Sequence, residues 1–318
     1  MKPLTHSETI TDPAEWDGSI FGTQLELVQL AGPGFVSTQT VTELRDGVKL
    51  LRLTVNQPIT VRSRPLSKRY AVTSFDRTHE GHFAGVPINE NQLLIFPPDF
   101  DFDASIKDSG FRCSTIFAPP KPLRRYYKTL VGEEIEEFHS TLIANPPPDS
   151  VEWLAAWPSL VDDKITESLE TQQRIDFQES LRDEALNLLV CALQTAAKPE
   201  FSEEMPRLSK ARQLIRIAED YANGNPEHGL RMVDLCNATG VSERTLQYAF
   251  QTCLGISPIN YLKRMRLQRA RRQLKVSNSK QTTVAAIACQ MGFWHFGEFS
   301  KAYKAQFDES PSTTLRGH

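Results

Sequence analysis

The spacing of apolar residues changes character along this chain of 318 residues. From Phe21 to Ala118 they come in short runs and alternations closed by turn formers. Val48–Val55 is closed by Asn56-Gln57-Pro58, and Gln92–Phe96 by Pro97-Pro98. Phe111, Cys113, Thr115 and Phe117 alternate with Arg112, Ser114 and Ile116. Short strands at such spacing predict a small barrel or sandwich, whose interior can hold a small ligand. Helical spacing follows over 122–197. Pro122–Val131 reads as a helix, Glu133, Glu134, Glu136 and Glu137 as an acidic surface, and Asn145-Pro146-Pro147-Pro148 as a rigid connector. Val151–Leu169 reads as a helix with Pro158 as a possible kink. Ile175–Ala197 carries Leu181, Ala185, Leu188, Ala192 and Thr195 on one stripe, and Leu186, Leu189, Val190 and Leu193 beside it. So broad an apolar surface must be covered, either by the chain's own barrel or by a dimer seam. Pro199–Pro206 reads as a linker.

Beyond the linker one pattern occurs twice. A helix over Leu208–Ala222, with Leu214, Ile215 and Ala218 inward, is stopped by Asn223-Gly224-Asn225-Pro226. Cys236 and Gly240 are then followed by Leu246, Phe250 and Leu254, and Ala288 and Gly292 by Phe299, Tyr303 and Phe307. A small residue where two helices cross, Gly at the turn and an apolar stripe every four residues form the pattern of a helix-turn-helix. In the first unit Ser242 is placed to cap the second helix. Arg244, Thr245, Gln247 and Tyr248 are left pointing outward, with Gln251 nearer the phosphates. Arg suits guanine O6/N7 and Gln suits adenine N6/N7. In the second unit Thr283 caps the first helix, and the turn is one residue longer. His295, Phe296, Gly297, Glu298 and Ser300 point outward, with Lys301 and Lys304 behind. Glu298 is either a cytosine N4 acceptor or a solvated charge. Ser310-Pro311 caps a closing helix through Leu315.

Between the units, Ser257-Pro258 caps and starts a spacer helix with Ile259, Leu262, Ala270 and Leu274 on its buried side. It carries Lys263, Arg264, Arg266, Arg269, Arg271, Arg272 and Lys275. Lys263, Arg264 and Arg271 are the candidates for phosphate, and one or two of the helix's cations are expected to pair with carboxylates.

Charge supports this division. Residues 205–318 hold 17 Lys/Arg against 8 Asp/Glu, and residues 1–204 hold 19 against 31. Such asymmetry fits one part that meets a polyanion and another that does not. Five scattered cysteines (Cys113, Cys191, Cys236, Cys253 and Cys289) without a C-x-x-C suit a reducing cytoplasm. No apolar stretch has membrane length, and the polar start (Lys2, His6, Glu8, Asp12) does not read as a signal peptide.

Gly240-Val-Ser-Glu-Arg-Thr-Leu246, Gly255-Ile-Ser-Pro258, Arg266-Leu-Gln-Arg-Ala-Arg271, Ala286-Ile-Ala-Cys-Gln-Met-Gly-Phe293 and Phe299-Ser-Lys-Ala-Tyr303, ending at Ser310-Pro311, together resemble the AraC/XylS family of bacterial transcription regulators. The resemblance spans Leu208–Arg316. It implies an α+β chain: an N-terminal cupin-like β-barrel or sandwich with helices (1–204) that senses an effector or dimerises, then an all-α seven-helix DNA-binding domain with two helix-turn-helices (205–318). One departure stands out. Asp308 occupies the place usual for Gly after the last Phe, so slight strain is expected there.

Other chemistry fails on spacing. His79-Glu80-Gly81-His82 lacks a third and fourth metal ligand, which leaves two ordinary surface or pocket histidines. Asp99, Asp101 and Asp103 begin like a calcium loop, but Ala104 and Gly110 stand where Gly and Glu are required, so a strand with an acidic face is expected. No phosphate-binding Gly-rich loop or nucleophile motif occurs, so no catalytic residue, cofactor or metal is expected. The expected partners are double-stranded DNA, a small-molecule effector, a second copy of the chain and, for an activator, RNA polymerase. The competing reading is a cupin-like metal-dependent enzyme fused to a DNA-binding module.

Overall fold

The computed structural model describes residues 5–16, 25–63, 68–101, 103–145, 148–160, 169–198, 204–226 and 229–317. Twelve strands lie in these residues: β1 (Thr5–Ile10), β2 (Leu25–Gln29), β3 (Ser37–Glu43), β4 (Lys49–Val55), β5 (Ile59–Ser63), β6 (Tyr70–Phe75), β7 (His79–Phe83), β8 (Val86–Ile88), β9 (Leu93–Phe96), β10 (Asp103–Ile106), β11 (Phe111–Ala118) and β12 (Leu142–Ala144). They form two antiparallel sheets, β1-β3-β4-β11-β6-β9-β12 and β2-β5-β10-β7-β8. Strands alternate their side chains between faces. Phe111, Cys113 and Phe117 of β11 therefore meet Leu25, Ile59 and Ala104 of the other sheet in an apolar interior. The expected acidic strand is shorter than its Asp pattern. Asp99 sits in a turn at φ 61°, and only Asp103 enters β10.

On the far face of the larger sheet, Ile116, Ile95 and Leu50 pack under α1 (Pro120–Val131), α2 (Pro148–Leu160) and α3 (Thr171–Thr195). Leu181, Ala185, Leu188 and Leu189 of α3 are buried there. The apolar stripe of this helix is thus intradomain core, which decides between its two sequence readings. The expected helix over 151–169 begins earlier, at Pro148, and its part beyond Leu160 lies largely outside the described residues. Of the expected linker, 199–203 is also outside them, whereas Glu204 already opens the next helix.

Seven helices follow: α4 (Glu204–Gly224), α5 (Met232–Thr239), α6 (Glu243–Leu254), α7 (Pro258–Val276), α8 (Val284–Gln290), α9 (Phe296–Phe307) and α10 (Pro311–Arg316). They make two lobes that share α7. Leu262 and Met265 join the α4–α6 core, and Leu267, Ala270 and Leu274 join the α8–α10 core. Among the described residues, no helix is long and apolar enough to cross a membrane.

Much of the smaller sheet's outer face is polar yet buried or half-buried, because the helical domain docks on it. Strand register places Glu26, Arg62 and Asp103 in one row, and Val28, Thr60, Ser105 and His82 in the next. Arg269 pairs with Glu26 at 2.6 Å, and Arg212 donates to Asp103 at 2.8 Å. Glu219 lies between Arg62 (3.3 Å) and the Tyr261 hydroxyl, which donates to it at 2.6 Å. Farther along α7, Arg271 pairs with Asp12 at 2.8 Å and Glu309 at 2.6 Å, and Lys275 joins Asp12 and Glu15.

Burial alone would raise the Asp12 carboxyl, but hydrogen bonds from Arg271, Lys275 and the Ala14 amide hold it below its ordinary value. Asp103 is likewise held low against burial by Arg212. Burial wins at Glu219 and pushes it up to about 7, against the Tyr261 hydrogen bond and Arg62, whose charge is shared with Asp220.

Two expectations follow. Asp12→Asn leaves Arg271 and Lys275 short of a buried counter-charge and should cost about 3 kcal/mol. Urea unfolding of the full chain measures this, with Glu8→Gln on the exposed face of β1 as an unaffected control. Glu219 gives a pH slope. Its folded value lies above the ordinary 4.5, so between 4.5 and about 7 the folded chain holds a proton that the unfolded chain has released. Alone this makes stability fall as pH rises through that window, but His82, pushed down from 6.5 to about 4, makes it rise between those two values, so the two contributions nearly offset each other in the intact chain. The contributions of Asp12 and Asp103 are complete above their ordinary 3.8, outside the window. Glu219→Gln should therefore uncover a rise in stability from about pH 4 to 6.5, and His82→Gln should uncover the fall from 4.5 to about 7, both read by urea unfolding across that range.

Candidate nucleic-acid interface

The first motif is built from α5 and α6. Gly240 ends α5 at φ 68°, its N–H donating to Cys236 O at 2.8 Å, which turns the chain sharply enough to place the N-cap of α6 two residues later. Ser242 caps α6 by accepting from the Thr245 amide. Leu246, Ala249, Phe250, Cys253 and Leu254 are buried. Ser242, Arg244, Thr245, Gln247, Tyr248 and Gln251 are all exposed. Arg244, Tyr248 and Gln251 follow at spacings of four and three, so they share one stripe opposite Leu246 and Phe250. Local bonds already occupy some of the others. The Ser242 and Thr245 hydroxyls lie 2.9 Å apart, and the Gln247 amide donates to Glu243 at 2.8 Å.

The second motif is built from α8 and α9. Thr283 caps α8 through the Ala286 amide at 3.1 Å. A side chain at Gly292 would bring its Cβ within 2.1 Å of Pro226 O and 2.3 Å of Arg266 Nη1, so both φ (78°) and space require glycine. On α9, Phe299 and Tyr303 are buried, and Phe307 is half-buried beneath the Arg271 guanidinium, 4.6 Å from its ring centre. His295, Phe296, Gly297, Glu298, Ser300, Lys301 and Lys304 are exposed. His295 stands at the N-cap without a capping bond, and Ser257 likewise makes none before Pro258. Asp308 adopts the left-handed conformation (φ 59°, ψ 16°) that usually falls to glycine, as the departure noted above implied.

The spacer helix corrects one expectation. Arg264 donates to Ala31 O at 2.8 Å, and Arg271 is buried among Asp12, Glu309 and Tyr303. Both face the sheet domain and not a phosphate, whereas Lys263 is partly exposed. The cations on α7 that bond carboxylates also outnumber the one or two expected, because Arg269, Arg271 and Lys275 all do so. The sequence held the positive charge but not the side from which the carboxylates arrive.

The sheet domain also grips the far ends of both outward-facing helices. Ser105 donates to Cys253 O at 2.9 Å and Lys107 to Thr252 O at 3.1 Å, which satisfies carbonyls at the end of α6. Gln306 of α9 donates to Ala31 O at 2.8 Å. None of Ser105, Lys107 and Ala31 carried a signal in the sequence, since each reads as an ordinary strand or loop residue.

The two histidines set aside as ligands are not surface residues. His79 is buried against Phe111, with Nδ1 3.0 Å from Asp108. His82 faces the helical domain. Burial, with Arg212 close by, pushes it down to about 4, so it is neutral at physiological pH. Among the described residues, no group of three or more His, Cys, Asp or Glu is placed to hold a metal.

Comparison with known proteins bears on this helical domain. A family profile described as a helix-turn-helix domain matches residues 235–317. The chain is 30% identical over 161 residues to the probable thc operon regulatory protein of Rhodococcus erythropolis, covering 50% of this chain and 48% of that protein. It is 30% identical over 132 residues to XylDLEGF operon transcriptional activator 3 of Pseudomonas putida, covering 42% of this chain and 38% of that one. The matches thus span about half or less of these curated relatives. A solved structure described as a probable AraC family transcriptional regulator from Rhodopseudomonas palustris is 36% identical, covers 33% of this chain and 96% of its own, and superposes with a TM-score of 0.30. The C-terminal third of this chain is an AraC/XylS-type helix-turn-helix domain.

Proposed function

We propose that the chain is a sequence-specific DNA-binding transcription regulator, an activator, whose α6 and α9 enter adjacent major grooves on one face of the duplex, roughly 34 Å apart. One observation carries this reading. Both helices lock their apolar stripes inward and leave Arg244, Gln247, Tyr248 and Gln251, and His295, Ser300, Lys301 and Lys304, in solvent. Arg244 reads a base edge, Lys301 and Lys304 meet phosphate, and Lys263 does so from the spacer. Each monomer takes an asymmetric site and a homodimer takes a repeat, in the cytoplasm, where an activator also meets RNA polymerase.

In the same reading the sheet domain is the sensor. Its interior is lined by Trp16, Phe83, Phe96, Phe111, Cys113 and Phe117, surroundings suited to a small apolar effector. Of the strands around that interior, β2, β5 and β10 are the ones that dock on α4 and α7, so a ligand there would act on the helices' footing.

Bandshift titration tests the DNA contacts. Arg244→Ala should relax base choice at one position at a cost of about 1–3 kcal/mol. Lys304→Ala should weaken all sequences alike and make the salt dependence shallower by roughly one counterion. If Arg244→Ala leaves both affinity and base preference untouched, α6 does not lie in the groove in this way.

A further inference from the structure

Among the described residues the large exposed apolar side chains are Val36, Leu130, Val233, Tyr248, Val276, Trp294 and Phe296. All three aromatic ones stand on the two motifs: Tyr248 (66% exposed) on the outward stripe of α6, Trp294 (54%) in the turn before α9, and Phe296 (46%) at its first residue. A single exposed ring needs no explanation. Rings that gather only where two helices are offered to DNA do need one.

Their neighbours narrow the choice. Side chains that could read bases by hydrogen bonding are partly committed: Ser242 and Thr245 to the cap, and Gln247 to Glu243. At the start of α9, Gly297 contributes no side chain, and a Cβ placed there would meet nothing within 4 Å. Phe296 thus stands beside open space at the end of the helix that leads into a groove. Arg244 lies one turn before Tyr248 on the same stripe, whereas the cations of α9, Lys301 and Lys304, lie more than one turn beyond Phe296. Of the four bases only thymine offers an apolar group, its C5 methyl, in the major groove.

We infer that Tyr248 and Phe296 are specificity-determining residues that select thymine by contact with its methyl group, one in each half-site. This rests on the DNA-binding reading above and assigns each motif a base class. Arg244 contributes the hydrogen-bonded contact of the first motif, and the second selects chiefly by apolar contact.

The test uses the full chain. A preferred duplex is obtained by selection from random oligonucleotides, and each thymine is then replaced in turn by deoxyuracil, which removes the methyl and keeps the pairing edge. Loss of one methyl contact should weaken binding about fourfold at one or two positions in each half-site. Phe296→Ala should abolish the deoxyuracil effect in the second half-site only, and Tyr248→Ala in the first only. Phe296→Leu should keep part of it, with thermal unfolding confirming that each variant is folded. If the selected duplex binds but every replacement is neutral, the inference is wrong while DNA reading stands. Phe296→Ala weakening thymine and deoxyuracil duplexes equally would place the ring on the sugar–phosphate backbone and overturn it. Variants without effect on any duplex would assign the rings to a protein partner and also overturn it. Failure to select any sequence would remove both this inference and the reading beneath it.

Discussion

The outer face of the five-stranded sheet is mostly polar and yet largely withdrawn from water, and much of the structure follows from that conflict. A buried polar group without a partner costs on the order of 1–3 kcal/mol. A buried charge without one costs more. Glu26, Arg62, Asp103 and Ser105 stand in adjacent strands at fixed register, so the groups that satisfy them must arrive in a matching pattern. Arg269, Glu219, Arg212 and the Cys253 carbonyl supply it from α7, α4 and the end of α6. An apolar interface could slide. This one tolerates little displacement, because moving any helix by a residue would strand several charges together. The pairing therefore fixes geometry, whatever its net contribution to stability.

The orientation of the two motifs inherits that precision. A single helix, α7, runs through both lobes, so the spacing of α6 and α9 is set first by its rigidity. Contacts from the sheet domain reach the C-terminal ends of α6 and α9 and leave their N-terminal ends in solvent. Lys107 places a cation at the negative end of the α6 dipole, where it is favourable. Support thus comes from behind each helix, on the side away from its exposed stripe.

The helical third was legible because its signals are local. Gly240 at the turn, Ser242, Thr283 and Ser310 at caps and the stripe of Leu246 and Phe250 each act within a few residues, and each lies where the spacing put it. The sheet domain was less so. The edge strand β1 (Thr-His-Ser-Glu-Thr-Ile) is mostly exposed and has no apolar period to betray it, and β12 is only three residues long. What escaped altogether was the interface. In Leu25–Gln29 and Ile59–Ser63 the alternation of apolar and polar residues says which side chains face the interior. It cannot say whether the opposite face meets water or a second domain, since both demand polar groups. The phosphate assignment of Arg264 and Arg271 failed for the same reason. A cation on a helix looks alike from the sequence whether its partner is a phosphate, or a backbone carbonyl (Arg264) or carboxylate (Arg271) more than two hundred residues away.

The same alternation ties the interior to the helices. Leu25, Leu27, Ile59, Val61, Ala104 and Ile106 line the apolar core, and their immediate neighbours Glu26, Val28, Thr60, Arg62, Asp103 and Ser105 hold the helical domain. Each pair shares one stretch of backbone, whose length and pleat are fixed. A strand shifted by crowding or emptying of the interior carries its outward side chains with it. Those side chains meet charged partners through short hydrogen bonds that weaken steeply with misalignment. A close-packed interior transmits such a shift and does not absorb it. Mechanical coupling between the core of the sheet domain and the footing of α4, α6 and α7 is therefore a consequence of the two-residue period itself, and needs no dedicated relay of side chains.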